Sequence, residues 1–284
     1  MHLYKGLLQL IAVLVVITMN SCRKDFRDNG LETALTPTFV VENISGRTNS
    51  YVVRNNTEGF IKTRWDFGNG SGFVDGKEVD TIFYPDAGVY SVKMQVMGKG
   101  GVFYDAPARD ITVATSDPVA GNLIAGGKMN TEDVAKWTKI VISPGVAFNH
   151  VDGKMVATGG SWGHAAIWQK VTVVAGKKYR FGMTVSGSGA TETWLEVFFG
   201  SIAPVNGVDY SDGGNYISMN TWAGCGTTSF NGPITTIGCE GTLVGKNGEI
   251  TFTTGGDKYL LIKTGGANLG TTGMAVDNVE LRGM

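Results

Sequence analysis

The segment Trp168–Gly187 has the sequence WQKVTVVAGKKYRFGMTVSG, and it indicates the fold of the C-terminal part of the chain. Within it, Tyr179, Phe181, Met183 and Val185 alternate with polar or small residues, which is the period of a strand with one buried face. An Ala-Gly pair before this alternation is typical of a turn. The segment therefore predicts two strands joined by a turn.

A second alternation follows shortly afterwards. One set of residues is Leu195, Val197 and Phe199, and the other is Trp194, Glu196 and Phe198. No stretch predicts an amphipathic helix longer than two or three turns, and residues 131–137 are the best short candidate. Parallel βαβ units would need longer helices, so the sequence predicts an all-β protein.

Composition limits the classes of function. A chain of 284 residues with 42% hydrophobic residues can bury a core, and its length favours two domains. The formal net charge of −1 gives no broad basic field for nucleic acid, so no nucleic-acid partner is expected. Forty-two glycines with only 7 prolines suit many short strands joined by turns.

Residues 1–22 have the organisation of an export signal. His2 and Lys5 give a weakly positive start, and the apolar run 7–17 is shorter than the roughly 20 residues that a transmembrane helix needs. Cys22 at the expected cleavage point resembles a bacterial lipoprotein signal of the Bacteroidetes type, which implies lipidation of Cys22. The alternative is a plain cleaved signal with an unrelated cysteine.

Residues 23–36 are polar and lack periodicity, which predicts a tether. The charged residues 23–25 at its start resemble the short tag that sends such lipoproteins to the outer face of the outer membrane. We therefore expect a lipid anchor in the outer membrane and an orientation towards the cell exterior.

Residues 37–115 contain the pattern WDFGNG from Trp65, then YPDAG from Tyr84, and then the alternating strand Tyr90–Val96. This spacing resembles the PKD family of small immunoglobulin-like sandwiches, in which the Trp anchors the core. The resemblance implies a spacer or interaction module without chemistry of its own. Residues 115–118 are polar and end in a proline, which predicts the linker to the next domain.

The C-terminal domain, predicted for residues 119–284, begins with Asn122-Leu123-Ile124 and ends with Ala275–Leu281, AVDNVEL. Five of the six tryptophans of the chain lie in this domain. The two terminal strings resemble those of jelly-roll carbohydrate-binding modules related to family 4. The resemblance implies a β-jelly-roll that holds a polysaccharide on one sheet and does not cleave it.

A glycan site needs flat aromatic rings for the apolar faces of sugars, together with planar polar groups for their hydroxyls. If the aliphatic set of the second alternation is core, then Trp194 and Glu196 point outward side by side, and an exposed tryptophan of this kind marks recognition. Alternatively, Trp194 and Phe198 belong to the core of the opposite sheet, but Glu196 between them would be costly to bury.

Three further residues are candidates for carbohydrate binding. Trp162 lies among small residues in a segment that predicts a flexible loop, where it is either a stacking surface or an anchor tucked into the protein. Trp222 and Asn220 lie near Cys225, where a closed loop would make a preorganised contact element. Core packing of Trp222 is the alternative.

Cys225 and Cys239 are predicted to form a disulfide. An exported protein meets an oxidising compartment, and the two residues lie 14 apart in the domain with the tryptophans. No Cys-x-x-Cys motif is present and the three histidines are scattered, so no zinc site is expected.

The related modules often hold a structural calcium, for which Asp277 would be the candidate ligand here. Lys128 and Asn130 stand where acidic residues are usual, and a lysine would repel a cation. The sequence therefore does not favour calcium, and no cofactor is expected.

Enzymatic functions find little support. A glycosidase needs two carboxylates about 5–10 Å apart, and no spacing singles out a pair among Glu192, Glu196, Asp209 and Asp212. No nucleophile elbow, zinc-protease motif or phosphate loop is present.

The sequence thus predicts a non-catalytic surface lipoprotein that binds a polysaccharide for an uptake system that includes other surface proteins. The resemblance to family 4 modules implies a glucan, with a β-linked one expected first. The second hypothesis is a structural or adhesive subunit that binds a protein partner. A groove with two or more coplanar tryptophans would favour the glycan, whereas a flat apolar patch would favour the protein.

Overall fold

The computed structural model describes residues 34–284, and these residues form an all-β protein, as predicted. The chain divides into two compact units, of which the second consists of Tyr84–Gly88 and Val113–Met284. Among residues 34–284, no helix is long and apolar enough to cross a membrane. The predicted export signal, residues 1–22, and most of the tether lie outside the described residues.

The N-terminal part of the described chain contains eight short strands. They are β1 (Phe39–Asn43), β2 (Ser50–Asn55), β3 (Lys62–Asp66), β4 (Val74–Gly76), β5 (Val79–Phe83), β6 (Gly88–Met97), β7 (Phe103–Asp105) and β8 (Arg109–Val113). One sheet has the order β1-β2-β5, and the other has the order β4-β3-β6-β7, with β8 also paired to β6. The two sheets form a small sandwich.

Trp65 lies in the core of the first unit. Its side chain is fully buried, and its indole N–H donates to the carbonyl of Lys77 at 3.0 Å. The predicted alternation on β6 is present, because Val92, Met94 and Val96 are all fully buried. The period of two in the sequence therefore decides which face of this strand meets the tryptophan.

The second unit contains ten strands and short helical turns. They are a 3-10 helix (Thr131–Lys136), β9 (Thr138–Ser143), β10 (Val146–Val151), β11 (Lys154–Val173), β12 (Lys178–Gly187), β13 (Thr191–Gly200), β14 (Asn215–Asn220), a 3-10 helix (Thr221–Ala223), β15 (Phe230–Pro233), α1 (Ile234–Ile237), β16 (Glu249–Thr251), β17 (Gly256–Asn268) and β18 (Met274–Gly283). The first 3-10 helix lies within the predicted helical segment 131–137.

These strands form two packed sheets. The front sheet has the order β9-β11-β17-β13-β14. The back sheet has the order β10-β11-β18-β12-β15, with β16 also paired to β12. All of these pairs are antiparallel, so each strand can present one face to the core between the sheets and the other face outward.

Strand β11 belongs to both sheets. Its first part pairs with β10 and β18, and its second part pairs with β9 and β17. The change occurs near Gly163, where a Cβ atom would lie 2.5 Å from the carbonyl oxygen of Pro144 and 2.6 Å from the backbone nitrogen of Val146. Glycine therefore lets β11 bend from one sheet into the other.

The two terminal strings of the second unit pair with each other. The side-chain amide of Asn122 donates to the carbonyl of Val279 at 3.0 Å, and its oxygen accepts from the N–H of Leu281 at 2.9 Å. The N–H of Leu123 donates to the carbonyl of Leu281 at 2.9 Å. Hydrogen bonds between residues far apart in the chain thus close this unit.

The inner faces of the two sheets share one hydrophobic core. The buried residues predicted on β12 and β13 are Tyr179, Phe181, Met183, Val185, Leu195, Val197 and Phe199, and all of them lie in this core. The predicted faces of both strands are therefore confirmed. It follows that Trp194 and Glu196 lie on the outer face of the front sheet.

Candidate functional site

The outer face of the front sheet is arranged in rows of paired residues. The first row contains Asn220 on β14, Trp194 on β13, Gly265 on β17 and His164 on β11. Paired residues of antiparallel strands point to the same side of the sheet. This row therefore places Trp194 on the outer face, one strand in from the edge strand β14.

Gly265 makes space for the ring of Trp194. A Cβ atom at Gly265 would lie 3.0 Å from Cζ2 of Trp194 and 2.8 Å from Cδ2 of His164. The two rings meet over this glycine edge to face, with their centroids 4.8 Å apart and an interplanar angle of 88°. Trp194 is thus partly buried against the sheet, with its orientation set by His164.

Trp162 projects from a bulge in β11, so the prediction of a flexible loop was wrong. The register between β11 and β17 shifts between Gly160 and Gly163. Ser161 and Trp162 both have positive φ, 55° and 65°. For a bulky residue this conformation is rare and costs about 1–3 kcal/mol. The bulge turns the tryptophan out of the sheet and leaves it 54% exposed.

Trp222 lies in the short 3-10 helix that follows β14. Asn220 caps this helix, because its side-chain oxygen accepts from the backbone N–H of Trp222 at 3.0 Å. The amide nitrogen of Asn220 donates to Glu240 at 2.6 Å. Both ends of the Asn220 amide therefore hold the loop in place, and the side chain of Trp222 is 57% exposed.

The predicted disulfide between Cys225 and Cys239 is confirmed. Backbone hydrogen bonds add to it, because the N–H of Cys239 donates to the carbonyl of Ser218 at 2.9 Å and the N–H of Cys225 donates to that of Asn220 at 3.2 Å. The loop of Trp222 is thereby fixed to the end of β14. A fixed loop loses less conformational entropy when it binds a ligand.

These three tryptophans form one aromatic surface, defined here as Trp162, Trp194 and Trp222. The rings of Trp162 and Trp222 have centroids 6.3 Å apart and an interplanar angle of 26°. The rings of Trp194 and Trp222 have centroids 6.2 Å apart and an interplanar angle of 32°. Nearly parallel rings this close leave too little space for a sugar ring between them, so a ligand would lie across their exposed faces.

A charged cluster, defined as Glu196, Asp209 and Lys263, lies in the next row of the same face. Glu196 pairs with Lys263 across β13 and β17. The ammonium of Lys263 lies 3.2 Å from Glu196 Oε2 and 2.8 Å from Asp209 Oδ1, and it also donates to the carbonyl of Tyr210 at 3.1 Å. Lys263 is therefore a buried cation that two carboxylates and a carbonyl satisfy.

The pKa of Asp209 follows from this arrangement. Partial burial acts to raise the pKa of its carboxyl, but the hydrogen bond and the charge of Lys263 outweigh burial. The pKa of Asp209 therefore lies below its ordinary value, and the group is ionised at neutral pH. The charged cluster adjoins the aromatic surface because Glu196 lies two residues from Trp194 on the same face of β13.

The far end of the outer face is covered. Phe198 is 4% exposed although it lies on the outward side of β13, because Tyr210 packs against it with ring centroids 6.0 Å apart. Burial raises the pKa of Tyr210 to about 12. Its hydroxyl donates to the carbonyl of Ile202 at 2.8 Å. The accessible part of the face is therefore the end that holds the tryptophans and the charged cluster.

Glu196 and Asp209 form the close carboxylate pair that sequence spacing did not single out. Both contact the same nitrogen of Lys263, at 3.2 and 2.8 Å, so the contacting oxygens lie within about 6 Å of each other. A glycosidase with this separation needs one carboxyl with a raised pKa as its acid. The ammonium between the two groups and the lowered pKa of Asp209 instead suit acceptance of hydrogen bonds.

Asp277 and Asn130, the positions that bear on the calcium prediction, make local hydrogen bonds. Oδ1 of Asp277 accepts from the backbone N–H of Asn278 at 2.7 Å. Asn130, at the other predicted position, donates its backbone N–H to Asp133 at 3.0 Å. Within residues 34–284, no group of three or more His, Cys, Asp or Glu side chains could hold a metal ion.

The predicted site residues are thus brought to one face of one sheet. Trp162, Trp194 and Trp222 adjoin each other, Glu196 follows Trp194 on β13, and Asn220 positions Trp222. Their role in carbohydrate binding stays a prediction. The alternatives that tucked Trp162 or Trp222 into the core do not hold, because both side chains are more than half exposed.

Sequence reasoning missed three residues of the site. Gly265, His164 and Lys263 were not singled out, and Asp209 was only one of four carboxylates considered. The alternation of Lys263 with the buried Ile262 could have placed this lysine on the outer face. No sequence signal could have found the others, because their proximity depends on the register between strands.

Comparison with known proteins yields low structural similarity. No protein-family model and no curated protein matches the chain. A solved structure of carbohydrate-binding modules from the β-sandwich superfamily, described as promiscuous in specificity, is 17% identical over 88% of this chain and 98% of its own, with a TM-score of 0.31.

Two further solved structures are similar to parts of the chain. A solved family 4 carbohydrate-binding module is 16% identical over 57% of this chain and 99% of its own, with a TM-score of 0.33. The PKD1 domain of the Vibrio cholerae metalloprotease PrtV is 26% identical over 29% of this chain and 100% of its own, with a TM-score of 0.25. At these TM-scores, the function has to be argued from the site.

Proposed function

We propose that the second unit binds a polysaccharide on the outer face of its front sheet and does not cleave it. The observation that supports this most directly is the pair of nearly parallel, half-exposed rings of Trp162 and Trp222, with an interplanar angle of 26°. Flat aromatic faces match the C–H faces of sugar rings, and exposed aromatic side chains that cluster on one surface mark a binding site. Trp194 extends the same surface towards Glu196.

The surface is preorganised, which favours binding of a flexible chain. The bulge holds Trp162, the disulfide and Asn220 hold the loop of Trp222, and Gly265 with His164 fixes Trp194. Groups that are already ordered lose little entropy when the ligand binds.

The charged cluster supplies the polar part of the site. Glu196 lies two residues from Trp194 on the same face of β13, a step of about 7 Å along a strand. Sugar hydroxyls can donate to its carboxylate while the ring lies on the tryptophan, and hydrogen bonds to an ionised acceptor are strong. This combination of stacking and acceptors suits a glycan better than a purely apolar ligand.

The finer parts of the proposal rest on the sequence. The resemblance to family 4 modules makes a β-linked glucan the first ligand to test, and lipidation at Cys22 would place the protein on the outer membrane, facing outward. There it would hold a polysaccharide for an uptake system with other surface proteins, and the first unit would act as a spacer.

The test is a panel of soluble polysaccharides in affinity electrophoresis with the exported protein. We expect at least one neutral polymer to retard the wild-type protein, and a variant with Trp162→Ala and Trp222→Ala to migrate without retardation. Equal retardation of the wild type and this variant would show that another surface binds the polymer. A control variant with Val174→Ala, an exposed apolar residue outside the site, should behave like the wild type.

One observation favours the second hypothesis, a structural or adhesive protein with a protein partner. Ile202, Val205 and Val208 are 65%, 58% and 56% exposed on one loop. In the same loop, the N–H of Gly207 donates to the carbonyl of Val141 at 2.9 Å, and the side chain of Val141 is also exposed. An apolar patch of this kind suits a protein contact. Substitution of Ile202 and Val205 by Ser would abolish such a contact and leave binding of polysaccharide unchanged.

A further inference from the structure

The charged cluster and its surroundings contain more negatively charged side chains than positively charged ones. Glu196 and Asp209 share the single ammonium of Lys263. A third carboxylate, Glu240, lies at the loop of Trp222, where it accepts from Asn220. These three carboxylates and the one ammonium together carry more negative than positive charge beside the aromatic surface.

The ammonium of Lys263 is already engaged within the protein. It donates to Asp209 at 2.8 Å and to the carbonyl of Tyr210 at 3.1 Å, and it forms an ion pair with Glu196 at 3.2 Å. Its side chain is only 7% exposed, and it lies over the ring of Phe198, 5.2 Å from the centroid. An anionic ligand therefore cannot use this cation without breaking contacts within the protein.

The carboxylates, by contrast, keep acceptor capacity. Asp209 uses Oδ1 for Lys263 and for the backbone N–H of Tyr210, and Glu196 uses Oε2 for Lys263. Within residues 34–284, Oδ2 of Asp209 and Oε1 of Glu196 accept no hydrogen bond. The side chain of Asp209 is 61% exposed and that of Glu196 is 25% exposed, so these oxygens can accept from hydroxyl donors.

We propose, on the basis of the polysaccharide site proposed above, that Glu196 and Asp209 select an uncharged glycan and reject glycans that carry carboxylate or sulfate groups. A neutral sugar donates hydroxyls to the two free oxygens while it lies on the tryptophans. An acidic sugar in the same position brings like charges together, and Lys263, which already neutralises the protein's own carboxylates, offers it no compensation.

The experiment compares each neutral polymer with its own acidic form. A β-glucan, a mannan and a galactan are each prepared as the neutral polymer and after partial oxidation of the C6 hydroxyls to carboxylates. The exported protein is titrated with both forms at about 10 mM salt, where the Debye length is roughly 30 Å. For any backbone that is bound, we expect the oxidised form to bind at least about tenfold more weakly, a difference of roughly 1.4 kcal/mol.

Salt tests the mechanism on the unmodified protein. At about 1 M salt the Debye length falls to roughly 3 Å, so repulsion between the carboxylates and an acidic glycan is screened. We expect the neutral form to bind nearly as before, and the difference between the two forms to shrink several-fold. A difference that persists unchanged at high salt would contradict charge repulsion.

A double variant tests whether the charged cluster causes the weaker binding of oxidised polymers. Glu196→Gln with Asp209→Asn keeps the shapes of both side chains and removes both charges. We expect weaker binding of the neutral polymer and a loss of discrimination against the oxidised one. The matched control is Glu249→Gln, on β16 of the back sheet, which should leave discrimination intact. If the double variant does not fold, the salt titration of the wild type still shows whether charge repulsion weakens the binding of the oxidised polymer.

The outcomes separate the two proposals. Equal or tighter binding of the oxidised form would overturn the selectivity while leaving polysaccharide binding in place. Failure of every polymer to bind would remove the proposed function, and this inference with it. Weaker binding of the oxidised form that salt relieves and the double variant abolishes would support both.

Discussion

The rings of Trp162 and Trp222 lie with centroids 6.3 Å apart and an interplanar angle of 26°, although one residue projects from a bulge in β11 and the other from the helix after β14. Neither ring is covered by the body of the protein, since both side chains are more than half exposed. Each ring alone would be a surface tryptophan, but the pair brings two exposed aromatic rings together at one place, next to Trp194.

Truncation of Trp222 should weaken ligand binding more than it affects folding. We expect Trp222→Ala to reduce the affinity for the bound polysaccharide by about 1–3 kcal/mol, as for a central aromatic contact. The midpoint of thermal unfolding should change little, because the ring is 57% exposed. Isothermal titration together with a thermal melt measures both quantities, and unchanged affinity would exclude this ring from the site.

Trp194 and Leu195 provide a matched pair, because they are neighbours on opposite faces of β13. Trp194→Ala should weaken binding by about 1–3 kcal/mol and cost little stability. Leu195→Ala, at a position with 0% exposure, should cost about 2–5 kcal/mol of stability and leave the folded fraction competent to bind. If the Trp194 variant unfolds readily but its folded fraction binds normally, the ring serves the core.

Removal of the disulfide should act through the position of Trp222. A closed loop of about 15 residues contributes roughly 3 kcal/mol of stability in the chain-entropy model. Substitution of Cys225 and Cys239 by Ser should therefore lower the unfolding midpoint, and it should also weaken polysaccharide binding although every ring is retained. Mass spectrometry of the unreduced wild type should show the two cysteines linked. Two free thiols in freshly exported protein would contradict the structure.

The interaction between Asp209 and Lys263 should make stability depend on acidic pH. The pKa of Asp209 is lowered in the folded protein, so its contribution is complete above the unfolded pKa of about 3.9. The contribution is lost as the pH falls through the lower, folded pKa. Denaturant unfolding at several pH values should therefore show a steeper acidic loss in the wild type than in Asp209→Asn. Parallel curves would mean that the pair adds no stability.

Attachment to the membrane should depend on Cys22. Replacement of Cys22 by Ala should leave the protein unlipidated and in the soluble fraction, because the predicted acyl anchor needs the cysteine sulfur. Fractionation of cells that express the wild type and the variant, with detection of incorporated fatty acid, measures this. A variant that still sediments with membranes would mean that something other than a lipid on Cys22 holds the protein.

The sequence was sufficient to predict those features that depend on the local alternation of residues along a strand. Alternation placed Val197 in the core and Glu196 on the outer face, because successive side chains of a strand point to opposite sides. It also indicated that Trp194 lies beside a carboxylate. The disulfide of Cys225 and Cys239 followed from compartment and spacing, since only two cysteines remain in the C-terminal domain.

Alternation did not predict which outer residues are accessible. Phe198 and Trp194 belong to the same outward set, but the segment with Tyr210 covers the first and leaves the second accessible. Burial on that face depends on where a connecting segment folds back, and no period in the sequence encodes that position.

The sequence by itself thus determined the all-β class, the faces of the main strands and the list of tryptophans available for recognition. Only the tertiary structure decided that Trp162, Trp194 and Trp222 meet, and that Lys263 lies between Glu196 and Asp209. The physical reason is that side-chain direction is a local property of a strand, whereas proximity depends on register, on the bulge at Trp162 and on loops closed between distant residues.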